Sequence, residues 1–479
     1  MNALTAWLEK YILPVAGKIG AQKHLVALRD AFIGTMPATM AGSVALMINA
    51  IIRDMPRQFF PPTYNADMTQ VLSGYDGTMI PVIKDIIGIN GFVYNGTILI
   101  AAIIFSFSWG YYIARAYNVN DLAGGIVSLI SFAAGFSDSF SGSWAMELPS
   151  SAVDAINTAN AGLVATADGI TGSAYGWLNI SHLKGESYFT AMIIGFVATM
   201  IFCQLMKRNI TIKLPDSVPP AVSKAFAAII PATAALYVCS AFYYFFRMFT
   251  DQLFTDWISE AIAKPLLGFS QGYFAVFIVT LFVQVFWFFG IHGPNVLAPI
   301  LEGVFGVAQL ENLSLFQDGG IELVKSEGYK WVRGSWDAFG WYGGSGGTII
   351  LILAIILFSK RADYRAVGTL SLGPGLFNIN EPIMFGLPIV LNAIMFIPFL
   401  LAPVVSVSIG YFATMADLVN PVSQQVTWVM PPVLLAFMAT GFDWRAIIVS
   451  LVCMLSSFII WVPFVIAANK VDPALGEKE

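Results

Sequence analysis

Residues 446–469 have the sequence AIIVSLVCMLSSFIIWVPFVIAAN, which contains no charged side chain. A helix needs about 20 apolar residues to cross the roughly 30 Å hydrocarbon core of a bilayer, so this run is long enough to span a membrane. Across all 479 residues 57% of the side chains are hydrophobic and only 11% are charged. Soluble proteins carry about 25% charged residues. The sequence therefore predicts an all-α integral membrane protein.

Further charge-free runs indicate the other crossings, and about ten transmembrane helices fit the complete set. The runs at 265–301 and 382–416 exceed the length of one ordinary helix. Each is therefore expected to contain a bend, a second segment or a hairpin. The remaining runs are 31–52, 86–114, 187–206, 225–246, 338–359 and 418–442, with shorter ones at 122–137 and 366–380.

Three basic clusters set the expected orientation, because short loops rich in Lys and Arg stay in the cytoplasm. Four runs separate the first two clusters, but only three separate the second and third, so one of those three must fold back or divide. The run at 366–380 is too short to cross and is interpreted as half of a re-entrant hairpin. Since irregular backbone at membrane depth needs protein or a watery cavity around it, a cavity is predicted in the C-terminal half. The clusters are Lys10, Lys18, Lys23 and Arg29; Lys207, Arg208, Lys213 and Lys224; and Lys360, Arg361 and Arg365.

The chain divides into two halves of different character. Residues 1–246 hold mostly simple spans and a long acidic loop at 138–186, whereas residues 265–479 hold the long and broken runs. Residues 247–264 are predicted to form an amphipathic linker that lies in the membrane interface, with an ordinary external loop helix as the alternative. Its apolar face would consist of Leu253, Phe254, Trp257, Ile258 and Ile262.

Charge and cysteine content argue against several functions. The formal net charge is −5 and the 24 basic residues form no dense cluster, so no nucleic-acid partner is expected. Cys203, Cys239 and Cys453 lie in apolar runs outside the spacings of zinc or redox sites, and they are expected to be core residues. No metal and no cofactor is predicted. Glu9 and Lys10 interrupt the first apolar stretch, so a cleaved signal peptide is not expected either.

Two ionisable side chains within the predicted membrane segments are the strongest functional candidates. A charged residue at the centre of a membrane helix costs about 2.5–3.5 kcal/mol, so it is retained for a reason. His292 lies in WFFGIHGPN (287–295), and Glu381 lies in FNINEP (377–382) beside Asn378 and Asn380. A satisfied core histidine is the alternative for His292. His24 and His182 are predicted to be ordinary residues of polar loops.

A glycine-rich segment, WYGGSGG (341–347), precedes an apolar helix that is expected to start at Thr348. Its glycines would let a ligand approach the backbone N–H groups at Gly343, Gly344 and Ser345. Close helix packing explains the same glycines equally well. Trp287, Trp341 and Trp428 are candidates for stacking on sugar rings, with interfacial anchoring as the alternative. Amides, a carboxylate, an imidazole and aromatic rings together favour a transporter of a polar solute such as a sugar.

At these residues the sequence resembles the membrane-embedded IIC component of the sugar phosphotransferase system, in its lactose, cellobiose and diacetylchitobiose group. The resemblance extends along nearly the whole chain. Its most specific pieces are LPDSVP (214–219), FFGIHG (288–293), GGSG (343–346), RADYR (361–365) and FNINEPIMFG (377–386).

The resemblance implies a homodimer in the bacterial cytoplasmic membrane. Residues 1–246 would form the scaffold and dimer interface, and residues 265–479 would form a substrate domain with two re-entrant hairpins. Such a permease subunit carries a β-linked disaccharide inward and presents it to a separate IIB protein, whose phosphocysteine phosphorylates the sugar. IIB is supplied in turn by IIA, HPr and enzyme I. Fused IIB and IIA domains are not expected, because no soluble block of their size is present.

The resemblance also assigns roles to single residues. His292 and Glu381 would contact the sugar near the hydroxyl to be phosphorylated, and Trp287 and Trp428 would pack on its rings. The other expected substrate-binding residues are Asn378, Asn380, Gly343, Gly344 and Ser345.

The sequence departs from the family pattern at two places. The loop at 138–186 is long, and Gly347 stands where Ala is common. The substrate is therefore open among cellobiose, diacetylchitobiose, lactose and aryl β-glucosides, with the first two favoured. A proton-coupled sugar symporter that uses Glu381 as its proton site is the main alternative. A sugar-sensing receptor that transports nothing is a minor one.

Overall fold

The computed structural model of the protein describes residues 21–60, 63–64, 70–72, 74–137, 139–159, 163–176, 178–215, 217–387, 389–390 and 392–469. Residues 1–20 lie outside this part, and with them Glu9, Lys10 and Lys18. The same holds for Asp216 and for residues 470–479 of the predicted C-terminal domain. The described chain is predominantly helical, which confirms the predicted class. Within it, six helices are long and apolar enough to cross a membrane.

These six helices coincide with predicted runs. They are Lys23–Arg57, Pro81–Ala116, Tyr188–Lys207, Pro220–Thr250, Ile394–Met415 and Trp444–Ala468.

Both of the overlong runs are broken, as predicted. In the first, Phe254–Ser270 and Tyr273–Phe288 meet at 73°, and the helix ends before the His292 segment. In the second, a short helix at Glu381–Gly386 is separated from Ala393–Met415.

The predicted crossing at 418–442 is wrong as a continuous helix. Only Pro432–Ala439 is helical there, and residues 420–431 follow an irregular path. Proline is the physical reason, because it lacks an N–H and disfavours helical backbone at the preceding residue. Pro421, Pro431 and Pro432 all fall in this stretch.

Backbone contacts divide the chain into two units. In the first, residues 21–98 group with residues from 264 onward. Its helices are α1 (Lys23–Asn49), α2 (Met55–Phe59), α3 (Pro81–Asn95), α10 (Lys264–Ser270), α11 (Tyr273–Phe288), α12 (Gly293–Val296), α13 (Ala298–Ile300), α14 (Val307–Glu327), α15 (Arg333–Phe339), α16 (Thr348–Phe358), α17 (Ala362–Leu376), α18 (Glu381–Gly386), α19 (Ala393–Met415), α20 (Pro432–Ala439) and α21 (Trp444–Ala468). Two short strands, β1 (Thr63–Tyr64) and β2 (Gln70–Leu72), pair antiparallel.

Small polar side chains hold the long helices of this unit together. The hydroxyls of Ser406 on α19 and Ser457 on α21 lie 2.8 Å apart, and Ser406 Oγ also donates to the Cys453 carbonyl at 3.0 Å. Small residues let helix backbones approach closely where lipid provides no hydrophobic drive for association. Cys453 is buried in this contact, so it is a core residue as predicted.

The second unit comprises residues 99–263. Cys203 and Cys239 are buried in it, as predicted. The predicted long loop at 138–186 contains a three-stranded antiparallel sheet in the order β3-β5-β4, which the all-α prediction did not include. The elements are α4 (Ala101–Ala116), α5 (Asp121–Ala133), β3 (Ser139–Ala145), α6 (Ser150–Ala159), β4 (Leu163–Thr166), β5 (Gly169–Tyr175), α7 (Tyr188–Lys207), α8 (Pro220–Thr250) and α9 (Phe254–Ile258).

The predicted linker is helical from Phe254 onward. Phe254 and Ile258 are buried, whereas Trp257 remains exposed. Whether the linker lies in a membrane interface stays a prediction. The division into scaffold and transport domains likewise stays a prediction, because it concerns motion during transport.

His182 differs from its predicted role as an ordinary residue of a polar loop. Its side chain is only 1% exposed. Nδ1 accepts a hydrogen bond from the Ser137 backbone N–H at 3.2 Å, so the neutral ring carries its proton on Nε2, which lies 2.9 Å from Asp256 Oδ1. His182 therefore ties the start of the linker to the loop within this unit.

Substitution of Asp256 tests this tie. Asp256→Ala leaves the buried Nε2–H of His182 without its carboxylate, which is expected to lower the free energy of unfolding by about 1–3 kcal/mol. Thermal unfolding of the purified protein measures the change. Asp154→Ala, at an exposed acid on α6, is the matched control and should have no effect. Equal unfolding temperatures for the two variants would contradict the assignment.

Candidate functional site

His292 is positioned by a sharp break after α11. Gly290 turns the chain with a φ of +75°. His292 then caps α12, because its Nδ1 accepts from the Asn295 backbone N–H at 3.2 Å. Its ring lies 4.6 Å from that of Trp287. With Nδ1 acting as an acceptor, the neutral imidazole carries its proton on Nε2 and can donate it to a ligand oxygen.

The next residue, Gly293, fixes how closely this segment approaches α11. A Cβ atom at Gly293 would lie 2.1 Å from the Val283 carbonyl oxygen. No other residue type fits without moving backbone. The close contact therefore holds the His292 turn against the helix that precedes it.

Asn378 joins three irregular segments. It adopts a left-handed backbone with a φ of 60°. Its Oδ1 accepts from the Gly343 N–H at 2.8 Å, and its Nδ2 donates to the carbonyls of Trp428 at 2.6 Å and Met430 at 2.9 Å. One buried amide thus pairs backbone groups that no helix satisfies.

Asn380 makes a parallel link, because its Nδ2 donates to the Ser345 carbonyl at 2.9 Å. A Cβ at Gly344 would lie 2.9 Å from both the Asn378 carbonyl oxygen and the Asn380 Cβ. Close packing therefore explains this glycine, and the Gly343 N–H is already bonded within the protein. α16 begins at Thr348, as predicted.

Glu381 stands exposed at the first position of α18, directly after Asn380. Its carboxylate is within electrostatic range of the His292 imidazole. A negative charge at a helix N-terminus is favoured, because the first N–H groups there lack helical partners. The structure thus brings the two ionisable candidates into one region of the first unit.

The tryptophans differ in exposure. Trp428 is 42% exposed, and its carbonyl is bonded to Asn378. Trp287 is only 2% exposed, and its Nε1 has no hydrogen-bond partner among the described residues. Trp428 is therefore the more accessible ring for a ligand.

The sequence analysis missed a charged cluster next to the glycine-rich segment. Arg333 on α15 donates to Glu302 Oε1 and to Asp337 Oδ2, each at 2.9 Å. Its guanidinium also lies 4.9 Å from the ring centre of Trp341. The available signal was WVRGSWD (331–337), in which Arg and Asp are four residues apart, with one tryptophan before them and one between them.

Comparison with known proteins establishes the family. Residues 29–403 match the family described as "Phosphotransferase system, EIIC". The chain belongs to this family. A cellobiose-specific EIIC component of Lactococcus lactis is 50% identical, with 98% of this chain and 99% of that protein aligned. An oligo-beta-mannoside-specific EIIC component of Bacillus subtilis is 31% identical, over 98% of this chain and 95% of that protein.

A solved structure resembles this EIIC protein along its whole length. It is the crystal structure of the transporter ChbC, the IIC component from the N,N'-diacetylchitobiose-specific phosphotransferase system, with a TM-score of 0.83 and 28% identity. The match covers 99% of this chain and 100% of that one. Family and apolar helices together make this protein a multi-pass permease of the cytoplasmic membrane, and they favour it over the symporter hypothesis.

The Asn378 amide provides a stability test of this EIIC site. Asn378→Asp replaces a donor to two carbonyls by a carboxylate oxygen. The change should lower the unfolding temperature of the protein, with a free-energy loss of about 3 kcal/mol or more, because an unpaired charge is buried. Asn209→Asp is the matched control, since Asn209 is also left-handed, with a φ of 55°, but is exposed. Equal losses at the two positions would show that the Asn378 bonds contribute nothing.

Proposed function

We propose that this EIIC protein binds and translocates a β-linked disaccharide, with cellobiose as its substrate, and presents it to a separate IIB protein. The 50% identity to a cellobiose-specific component over almost the full length of both chains carries this proposal. Diacetylchitobiose is the second candidate, supported by the structural likeness to the ChbC component.

The geometry supports a division of roles between the two ionisable residues. His292 donates through Nε2–H to the sugar hydroxyl, since its Nδ1 is engaged by Asn295. Glu381, exposed at the start of α18, accepts the proton of that hydroxyl. The hydroxyl oxygen attacks the phosphorus of the IIB phosphocysteine, the new P–O bond forms as the P–S bond breaks, and the thiolate leaves.

The remaining site residues shape and line the pocket in this proposal. Trp428 packs on a sugar ring through its exposed face. Trp287 supports the His292 ring from behind. Asn378 and Asn380 hold the segment of Gly343, Gly344 and Ser345 against the start of α18, so that the sugar meets a fixed polar wall.

We further propose about ten crossings, two re-entrant hairpins and a homodimer. The break from α11 through α13 and the break from α17 through α18 support the hairpins, because helices shorter than about 17 residues cannot span the bilayer alone. Residues 1–246 would form the scaffold and dimer interface. Residues 265–479 would move the sugar across the membrane.

Uptake into vesicles tests the proposed function. Vesicles containing the protein receive cellobiose with and without phosphoenolpyruvate, enzyme I, HPr, IIA and IIB, and the internal product is identified. Cellobiose phosphate should accumulate only with the complete set. Accumulation of free cellobiose that collapses with a protonophore would instead establish the symporter.

Replacement of Glu381 tests its role as proton acceptor. Glu381→Gln preserves shape but removes basicity, so phosphorylation of cellobiose should slow by about 10²–10⁴-fold. Phosphate transfer from phospho-IIB measures the rate. Glu322→Gln, at an exposed acid on α14 paired with Lys325, should leave it unchanged. A Glu381→Gln variant with the parental rate would rule out Glu381 as the base.

A further inference from the structure

The charged cluster around Arg333 is unusual for an apolar protein. One guanidinium lies between two carboxylates, with side-chain exposures of 18% for Arg333, 16% for Asp337 and 40% for Glu302. Such groups are expensive to remove from water, and they are retained when they are paired. Pairing explains how the cluster is tolerated. It does not explain why the cluster is there.

The contacts around the guanidinium indicate a function for the cluster. Its Nε and Nη1 atoms donate to the two carboxylates, and its Cζ lies over the ring of Trp341, 4.9 Å from the ring centre. Arginine suits this position because its rigid planar group can form two ion pairs and stack on an aromatic ring at once. Lysine offers only a point charge.

The buried side chain of Trp341 contacts the guanidinium without a hydrogen bond of its own among the described residues, since its Nε1 has no partner there. Its neighbour Trp336 is fixed differently, because its Nε1 donates to Thr280 Oγ1 at 2.8 Å. Trp341 packs against Trp336, with ring centres 6.1 Å apart, and against the guanidinium of Arg333.

Trp341 is joined directly to the site. Its carbonyl accepts from the Gly344 N–H at 3.0 Å. Gly343, which directly precedes Gly344, donates its N–H to Asn378, three residues before Glu381. On the other side of Arg333, Glu302 lies ten residues after His292, in the helical turn that follows α13. Through Glu302, Arg333 contacts the chain ten residues after His292, and through Trp341 it contacts the segment that is bonded to Asn378.

We propose that Arg333 is a positioning residue for sugar binding, which orients Trp341 and through it the glycine-rich segment at 343–347. Glu302 anchors the guanidinium to the His292 side, and Asp337 anchors it to its own helix. This inference rests on the proposed function, since it names a residue that supports the same sugar site.

A double-mutant cycle with purified full-length protein and cellobiose tests the proposal. Arg333→Lys keeps the charge but loses the planar face, and it should weaken cellobiose binding about tenfold, within the range of a desolvated cation–π contact. Trp341→Phe weakens the same contact from the other side. The double variant should bind no more weakly than the weaker single variant, because both changes remove one interaction. Calorimetric titration measures the affinities.

Arg445→Lys is the matched control. Arg445 is likewise paired with an aspartate, Asp443, at 2.9 Å, but it belongs to no part of the proposed site. Its variant should bind cellobiose as the unaltered protein does. Parental affinity in Arg333→Lys, an equal loss in Arg445→Lys, or losses that multiply in the double variant would each overturn the proposal.

A neutral cluster separates positioning from stability. The triple variant Glu302→Gln, Arg333→Gln, Asp337→Asn has no unpaired charge, so its unfolding temperature should stay near that of the unaltered protein. Its cellobiose affinity should nevertheless remain low. If the triple variant has both the unfolding temperature and the cellobiose affinity of the unaltered protein, Arg333 has only a structural role. Failure of the unaltered protein to bind cellobiose would contradict the proposed substrate instead, which keeps the two failures distinct.

Discussion

The need to pair every backbone polar group away from water governs the C-terminal part of this protein. Regular helices satisfy that need internally, but a permease must open its helices where a polar solute binds. The Asn378 side chain resolves the conflict, because it bonds the Gly343 N–H and two carbonyls from residues 428 and 430. Asn380 does the same for Ser345. These amides replace helical bonds that the irregular segments lack, as backbone away from water requires.

Hydrogen bonds within the protein also set the chemistry of the candidate site. Because the Asn295 N–H occupies His292 Nδ1, the imidazole is left with one free role, that of donor. In the proposed function Glu381 is the acceptor. Under that proposal the phosphorus comes from another protein, so the permease only has to hold and activate the sugar hydroxyl.

Elsewhere in the chain, contacts of Arg333 and His182 with carboxylates join separate segments. At Arg333, two carboxylates and an indole contact one guanidinium. At His182 a neutral imidazole joins a loop to the linker within the second unit. The His182 contacts and the pair of Glu302 with Arg333 connect segments that are distant in sequence, which is why neither was visible as a motif.

The sequence by itself determined the class of the protein, because long charge-free runs such as 446–469 have one favourable environment. The excessive length of the runs at 265–301 and 382–416 predicted that each is broken, and the glycine-rich segment predicted the start of α16 at Thr348. His292 and Glu381 were identified since ionisable groups are rare in such runs. Only the tertiary structure decided what those residues contact. The burial of His182 and the ion pair between Glu302 and Arg333 depend on partners tens of residues away, and local composition carries no information about such partners.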